Sequence, residues 1–524
     1  MTNITVLKTL TKSSRKFNIV KLIAVIIAIG IFFRFYNLDQ KTYWYDETMT
    51  SVRISGYVSP ELTKEVYNGE VITVENFLQT YQYPNDTRNL NDSIKALAQN
   101  PEHSPLYYIM ARFWLQAFGN SIFNIRLLSA FISLLAFPAI YWLCQELFNS
   151  KLISWVAVSL IAISPFHVLY AQEAREYSLW IVSFFVSCAA LLWAIRNRKI
   201  LPWIVYGTTV SLGLYTHPFS AFLFVGHGIY VLVSESFRLT KALTNYILAS
   251  LFGILLFVPW LLVVIANFTN LLGNTDHVNR IAKGSLPILW GLNLSRIFID
   301  VNQGISLFNP LNYLSLIFAV YALYFLCKNA PKAGLFIITS IGVLGIALIS
   351  PDIILSGRRS TIARYATPCY LGIQIAVAYL LSTKLKKAYD DIKIKKIKKW
   401  RNVVAVLIVG GILSCAISSQ VPMWWNKGPF KTRHTPEVIS IINQSENPLV
   451  ISNIPPNQLL GLTHLLENKV HLQLISSPNI PQIPASFQEV FIYRPSDELL
   501  AKYKTKYGID EIQPFLWKVK KNNL

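Results

Sequence analysis

Charge is scarce in this chain. Of its 524 residues, 14% are Asp, Glu, Lys or Arg, against about 25% in an average soluble domain. With 53% hydrophobic residues and a mean hydropathy of +0.40, this excludes an ordinary soluble globule. Cysteine is also scarce. The five residues Cys144, Cys188, Cys327, Cys369 and Cys415 lie inside or beside apolar runs, and none forms a CxxC pair. That excludes a disulfide framework and a zinc-binding knuckle, and it leaves small apolar packing residues. No small-x-small exit site follows the first apolar run, which leads into Arg34 and aromatics. A cleaved signal peptide is therefore not expected there, and the run reads as a retained span. Acids are the scarcer sign, 27 against 48 Lys and Arg, for a net charge of +21. The basic residues cluster in short connectors between apolar runs, as membrane orientation predicts. Nucleic acid, which needs them on one folded face, is excluded as a partner.

What the chain has in abundance is apolar runs of about 20 residues, long enough to cross a bilayer. The pattern predicts a polytopic α-helical membrane protein with about eleven transmembrane helices. They fall near 19–36, 123–147, 152–170, 178–195, 202–217, 218–234, 244–265, 312–327, 333–350, 365–382 and 403–420. Lys8, Lys12, Arg15, Lys16 and Lys21 precede or open the first. The N-terminus is thus expected in the cytoplasm of a plasma (inner) membrane protein. Lys151, Arg196 to Lys199 with Arg198, Arg238 and Lys241, Lys328 and Lys332, and the stretch Lys384 to Arg401 mark further cytoplasmic connectors. An odd number of crossings then leaves the C-terminus outside.

Two parts are expected, a transmembrane domain over 1–429 and an extracytoplasmic domain over 430–524. The first outer loop runs over about 37–122, and within it Pro105 to Phe118 is too short to cross and reads as an interfacial helix. In the last part Thr435 to Gln444 and Asn457 to Asn468 look helical. Leu449 to Asn453, Val470 to Ile475 and Glu489 to Tyr493 look like strands. A small α/β domain follows, with no GxGxxG and no nucleophile elbow.

Four constellations on the expected outer face invite chemistry. Trp44-Tyr45-Asp46-Glu47 follows the first span closely; the plain alternative is solvated loop acids with interfacial aromatics. Gln172-Glu173-Ala174-Arg175-Glu176-Tyr177 sits between two apolar runs with almost no loop to spare. If Glu173 and Glu176 open the next helix, their i,i+3 spacing puts them on one face; the alternative is an Arg175–carboxylate pair capping it. His103 and Ser104 start the interfacial helix, Arg112 and Arg126 follow in apolar surroundings, and His217 ends a span. A lone arginine there is expected to snorkel, and a lone histidine to be an interfacial hydrogen-bonder. Arg358, Arg359 and Arg364 with Tyr365 lie where positive-inside logic disfavours arginine. Anion binding is one use, since guanidinium forks match phosphate oxygens; pairing with the acidic first loop is the other.

In order and spacing, several strings resemble the GT-C membrane glycosyltransferases. The nearest likeness is to bacterial family 39 enzymes, kin to protein O-mannosyltransferases and the lipid A aminoarabinose transferase. They are Arg34-Phe35-Tyr36-Asn37-Leu38 through Asp46-Glu47, His103-Ser104-Pro105-Leu106-Tyr107-Tyr108, Phe118-Gly119 and Arg126-Leu127-Leu128-Ser129-Ala130. Ser164-Pro165-Phe166-His167 to Tyr177, Tyr215-Thr216-His217 and Arg364-Tyr365 complete the set. At His103-Ser104 the chain departs from the aminoarabinose branch, which has a lysine before the proline.

The resemblance implies a GT-C fold. It also implies a glycosyltransferase that moves a sugar from a polyprenyl-phosphate donor to a protein or glycolipid acceptor at the outer face. It implies Asp46 as catalytic carboxylate with Glu47 beside it, and Glu173 or Glu176 at a second acidic position. Arg364 and Tyr365 are implied near the lipid phosphate. His103, Ser104, Arg126, Arg175 and His217 are candidate substrate-binding groups with them, and Arg358 and Arg359 join as cations for the departing phosphate on the anion-binding reading above. A lipid phosphate is already a good leaving group, so one base and cations suffice, unlike the two carboxyls of a glycosidase. Inversion by single displacement is expected, with no obligatory metal; a divalent cation between loop carboxylates is the variant seen in oligosaccharyltransferases. Two other readings are an oligosaccharide ligase using a lipid pyrophosphate, and a lipid or sugar transporter. A transporter would place its charges near mid-bilayer in repeated halves, and no internal repeat is evident.

Overall fold

The computed structural model describes residues 20–197, 199–275, 281–427, 435–476 and 480–520. Lys8, Lys12, Arg15, Lys16 and Arg198, used above for orientation, lie outside the described residues. The chain divides into two compact units. One holds residues up to Tyr36, Glu102–Ser104 and Ser129–Gln420; the other holds Asn37–Pro101, Pro105–Leu128 and the segment from Val421 onward.

The first unit is helical. Helices occupy all eleven positions expected of spans, from 20–35 to Ile394–Ser419. By length and composition, six helices among the described residues are apolar enough to cross a membrane, or seven if one broken pair is counted as a span. The finer count of eleven thus rests on shorter or more polar helices such as Ile200–Thr216, Ser220–Ser234 and Thr367–Asp390. The broken pair is Lys151–Ala162 and Pro165–Ala171, bent by 61°. Pro165 has no N–H to continue the ladder. The buried guanidinium of Arg34 takes up carbonyls at that break, Nη1 donating to Ala162 O (2.6 Å) and Nη2 to Ile161 O (3.0 Å), while Nη1 also donates to Gly30 O of its own helix (2.8 Å). A cation at helix C-termini opposes their partial negative charge. The approach is close enough that a Cβ on Gly30 would lie 2.3 Å from Ala162 O.

The second unit is built on a six-stranded sheet of β1 (Asn68–Thr73), β2 (Pro448–Ser452), β3 (His471–Ile475), β4 (Glu489–Tyr493), β5 (Ile509–Gln513) and β6 (Leu516–Val519), in the order β1-β3-β2-β4-β6-β5. β2 runs parallel to β3 and β4, with Val450 opposite Leu472 and Phe491; the outer pairings are antiparallel. Parallel strands need both faces covered, and period-two alternation supplies both. Val450, Leu472, Leu474, Phe491 and Tyr493 face one core with Val438, Ile442 and Leu459. Leu449, Ile451, Val490 and Ile492 face another with Leu499 and Tyr503 of helix Asp497–Lys506. β1 comes from the segment expected to form the first outer loop and pairs with β3, so that segment and the C-terminal one fold as one body. Met49 and Val52 of helix Tyr45–Ser55 join the first core. The helix expected within Pro105 to Phe118 is found at Leu106–Phe118.

Candidate functional site

Asp46 and Glu47 occupy the first turn of helix Tyr45–Ser55, where the helix dipole favours carboxylates. Trp44 precedes them in extended backbone (φ −101°, ψ 173°). The two acids part company at once. Asp46 is partly exposed. Glu47 is fully buried and held by two cations: Arg126 donates side-on, Nε to Oε1 and Nη2 to Oε2, both at 2.8 Å. Lys427 Nζ donates to Oε2 at 2.9 Å. The same oxygen accepts from Trp44 N at 3.5 Å, so the carboxylate reaches back to the residue that precedes the helix.

Arg126 also donates from Nη1 to the carbonyls of Leu38 (2.7 Å) and Lys41 (2.9 Å), and from Nη2 to Thr42 O (3.1 Å). Its five N–H groups thus all meet protein acceptors. A buried carboxylate survives only when paired and hydrogen-bonded this fully. Lys427 was not among the residues singled out in the sequence. The signal it offered was weak, a lone lysine beside Trp424 and Trp425 on the expected outer face. Arg112 does not snorkel. It is buried, and Nη1 donates to Ile54 O (2.6 Å) and Ser93 Oγ (3.0 Å), capping the C-terminal turn of the helix that carries Asp46.

In the other unit, Glu173 and Glu176 do not share a helix face. Pro165–Ala171 ends at Gln172, and the chain must reverse before Tyr177–Asn197 begins. Arg175 N donates to Glu173 O at 2.8 Å, a tight bend that helical spacing forbids. Glu176 instead opens the next helix, its carbonyl accepting from Trp180 N at 2.9 Å. Its carboxylate pairs with the neighbouring Arg175, Nη2 to Oε1 at 2.9 Å, both side chains buried. All three side chains, Glu173, Arg175 and Glu176, are enclosed.

An aromatic ladder runs from this bend to Arg364 and Tyr365. The Arg175 guanidinium lies 5.7 Å from the Tyr177 ring. His217 stacks on Trp180 at 3.8 Å and meets Phe219 at 5.1 Å, and Phe219 meets Tyr365 at 5.5 Å. The Arg364 guanidinium stands 5.5 Å from the Tyr365 ring. His217 Nδ1 accepts from Phe219 N at 3.2 Å. The structure therefore brings Arg175, Glu176, His217, Arg364 and Tyr365 into one chain of contacts. Ser104 instead donates Oγ to Leu214 O at 2.7 Å, and His103 Nε2 lies 3.8 Å from Glu102 Oε1. Arg358 and Arg359 are exposed at a 3-10 turn, Arg359–Thr361. Among the described residues, no three His, Cys, Asp or Glu side chains are grouped as metal ligands.

Residues 102–263 match the family model described as dolichyl-phosphate-mannose-protein mannosyltransferase. A curated relative from Yersinia pestis (strain Pestoides F), the undecaprenyl phosphate-alpha-4-amino-4-deoxy-L-arabinose arabinosyl transferase, is 27% identical over 179 residues. That match covers 32% of this chain and 32% of the relative, so the likeness spans about a third of the curated protein's length. The second transferase of that name from Proteus mirabilis (strain HI4320) is 28% identical over 158 residues, covering 28% of this chain and 27% of the relative. The crystal structure of ArnT from Cupriavidus metallidurans bound to undecaprenyl phosphate superposes over 95% of this chain and 98% of its own, with a TM-score of 0.53 and 13% identity. The chain has the fold of that protein, which is the GT-C architecture expected from its sequence.

Proposed function

We propose that this chain is a membrane glycosyltransferase that takes a sugar from a polyprenyl-phosphate donor and passes it to a hydroxyl-bearing protein or glycolipid acceptor at the extracytoplasmic face. The observation that carries the reading is the match of residues 102–263 to the mannosyltransferase family model. Relatives named for an undecaprenyl-phosphate-linked aminoarabinose donor support it. In this reading the plasma membrane is crossed about eleven times, with the N-terminus cytoplasmic and the C-terminal segment outside.

Asp46 is the general base: it stands in the first turn of a helix anchored on the sheet core, and it is partly exposed while its neighbour is buried. It removes the acceptor proton as the acceptor oxygen attacks the anomeric carbon, and the bond to the donor phosphate breaks with inversion. Arg358, Arg359 and Arg364 take the charge that builds on the departing phosphate. Glu47 and Arg126 then serve as positioning residues, because the donors and acceptors they have are already committed to the protein. Glu176, Arg175 and His217 line the donor side with Tyr365. His103 and Ser104 stay assigned to substrate binding, and Glu173 to the second acidic position, on the resemblance alone. No obligatory metal is invoked.

The test is mass spectrometry of lipid-linked sugars and envelope glycans from cells with and without the chain. Accumulation of one prenyl-phosphate sugar, with loss of one glycan, is expected on deletion. Unchanged pools of both would overturn the reading.

A further inference from the structure

The turn that carries Arg358 and Arg359 is held by a buried acid that belongs to neither the proposed base nor its partners. Asp352 lies in the last turn of Pro331–Leu355, one residue beyond Pro351, and is 1% exposed. Its Oδ1 accepts from Arg359 N at 3.0 Å, and its Oδ2 accepts from both Ser360 N and Ser360 Oγ at 2.6 Å. Around it the loop is pinned twice more. Trp290 Nε1 donates to Ser360 Oγ at 2.9 Å, and Asn293 Nδ2 donates to Thr361 O at 2.8 Å. Both come from the buried helix Leu286–Arg296.

A carboxylate this enclosed is costly unless its lone pairs are engaged, and here three donors of one short turn engage them. The geometry has a consequence for the outward side chains. The helix ends at Leu355, and Ser356 turns the chain through the left-handed region (φ 59°). With the backbone of Arg359 and Ser360 tied to Asp352, the guanidinium stems of Arg358 and Arg359 start from fixed positions and emerge exposed. Ile353, Ile354 and Leu355, 49%, 71% and 69% exposed, form an apolar edge just before them. An apolar edge followed by two guanidinium groups matches an amphiphile with a phosphate head. Fixing the stems in advance removes part of the ordering cost of binding it.

We propose that Asp352 is a positioning residue for phosphate capture: it never touches the donor, and it acts through Arg358 and Arg359. This rests on the reading of those arginines as donor-phosphate ligands. The experiment uses the full-length chain purified in detergent, with undecaprenyl monophosphate as the probe and thermal unfolding recorded in parallel. Asp352→Asn keeps the shape but loses the charge and one acceptor. It should weaken binding by about tenfold, the worth of one charge-assisted hydrogen bond. Arg358→Gln/Arg359→Gln should weaken it at least as much. The decisive arm is the triple variant. If Asp352 acts through the arginines, adding Asp352→Asn to the double variant changes binding by less than twofold.

An equal tenfold loss in both backgrounds would assign Asp352 a merely structural part and overturn the proposal. So would unchanged binding in a folded Asp352→Asn protein. If Asp352→Asn does not fold, Ser360→Ala carries the test, since it removes one of the three donors and should weaken binding about threefold only while both arginines are present. Saturable wild-type binding that the double arginine variant leaves intact would show the donor reading of the arginines itself to be wrong.

Discussion

Arg126 meets Glu47 side-on, two parallel N–H···O bonds of 2.8 Å between residues 79 apart in sequence. The pair fixes the start of the helix that carries Asp46 to the loop carbonyls of Leu38, Lys41 and Thr42. Lys427 adds a second buried cation. Breaking such a cluster by removing one partner is far more damaging than its net worth suggests, because a buried charge is left behind. Arg126→Met should destabilise its unit by about 3–5 kcal/mol, and Arg126→Lys should rescue little, since an ammonium has three donors where five are used. Lys427→Met should cost less, because Glu47 keeps its bidentate partner. Thermal unfolding in detergent ranks the three; a Lys427 variant worse than the Arg126 variant would contradict this arrangement.

His464 gives the same unit a pH dependence. Its Nε2 donates to Gln82 Oε1 at 2.9 Å, and Tyr83 Oη, 3.4 Å away, donates to Nδ1, which fits the neutral ring. Burial, reinforced by the Arg126 charge and opposed by Glu47, pushes its pKa down from 6.5 to about 3. Between those values the unfolded chain binds a proton that the folded chain refuses. Stability is therefore full above about pH 6.5 and falls as the pH drops toward 3. The unfolding midpoint should fall between pH 7.5 and pH 5 in the wild type, and fall less in His464→Gln. Parallel curves for the two proteins would remove His464 as the cause.

Close approach at Gly30 predicts a contrast between two helical glycines. A methyl there would strike the Ala162 carbonyl, whereas a Cβ on Gly342 meets nothing within 4 Å. Gly30→Ala should destabilise by about 1–3 kcal/mol, and Gly342→Ala should be neutral or slightly stabilising. Arg34→Gln should resemble Gly30→Ala, because it releases the carbonyls at the helix break. Unfolding midpoints of the three variants decide it.

Chelation tests the expectation that no metal is obligatory. Turnover should be unchanged in EDTA; loss of activity restored by Mg²⁺ or Mn²⁺ would assign a divalent ion to the carboxylates.

Much of this was legible in the sequence, and the exceptions have physical reasons. Apolar runs located the eleven stretches expected as spans, since lipid leaves the backbone no other choice, but not the helices Phe268–Thr275 and Leu286–Arg296, which lie between two of those runs. Thr435–Gln444 and Glu489–Tyr493 were read to the residue. β1 was not seen as a strand, because Asn68–Thr73 is short and polar and gains its ladder from β3, about 400 residues away. β5 and β6 were missed for similar reasons, their exposed edge carrying Asp510 and Glu511. The helical spacing expected of Glu173 and Glu176 failed because residues 172–176 are all the chain has to join two helices, and the bend falls between the two acids. Asp46 and Glu47 looked like a pair; nothing local says which of two adjacent acids the fold will bury, and Arg126 and Lys427 decide it from afar.

The most direct test of the account is the turnover of Asp46→Asn with a polyprenyl-phosphate sugar as donor, in a protein shown to be folded and to bind that donor. Loss of the base predicts a fall in kcat of at least ~100-fold with donor affinity retained. Turnover within a few-fold of wild type would contradict the assignment of Asp46 as the group that accepts the acceptor's proton.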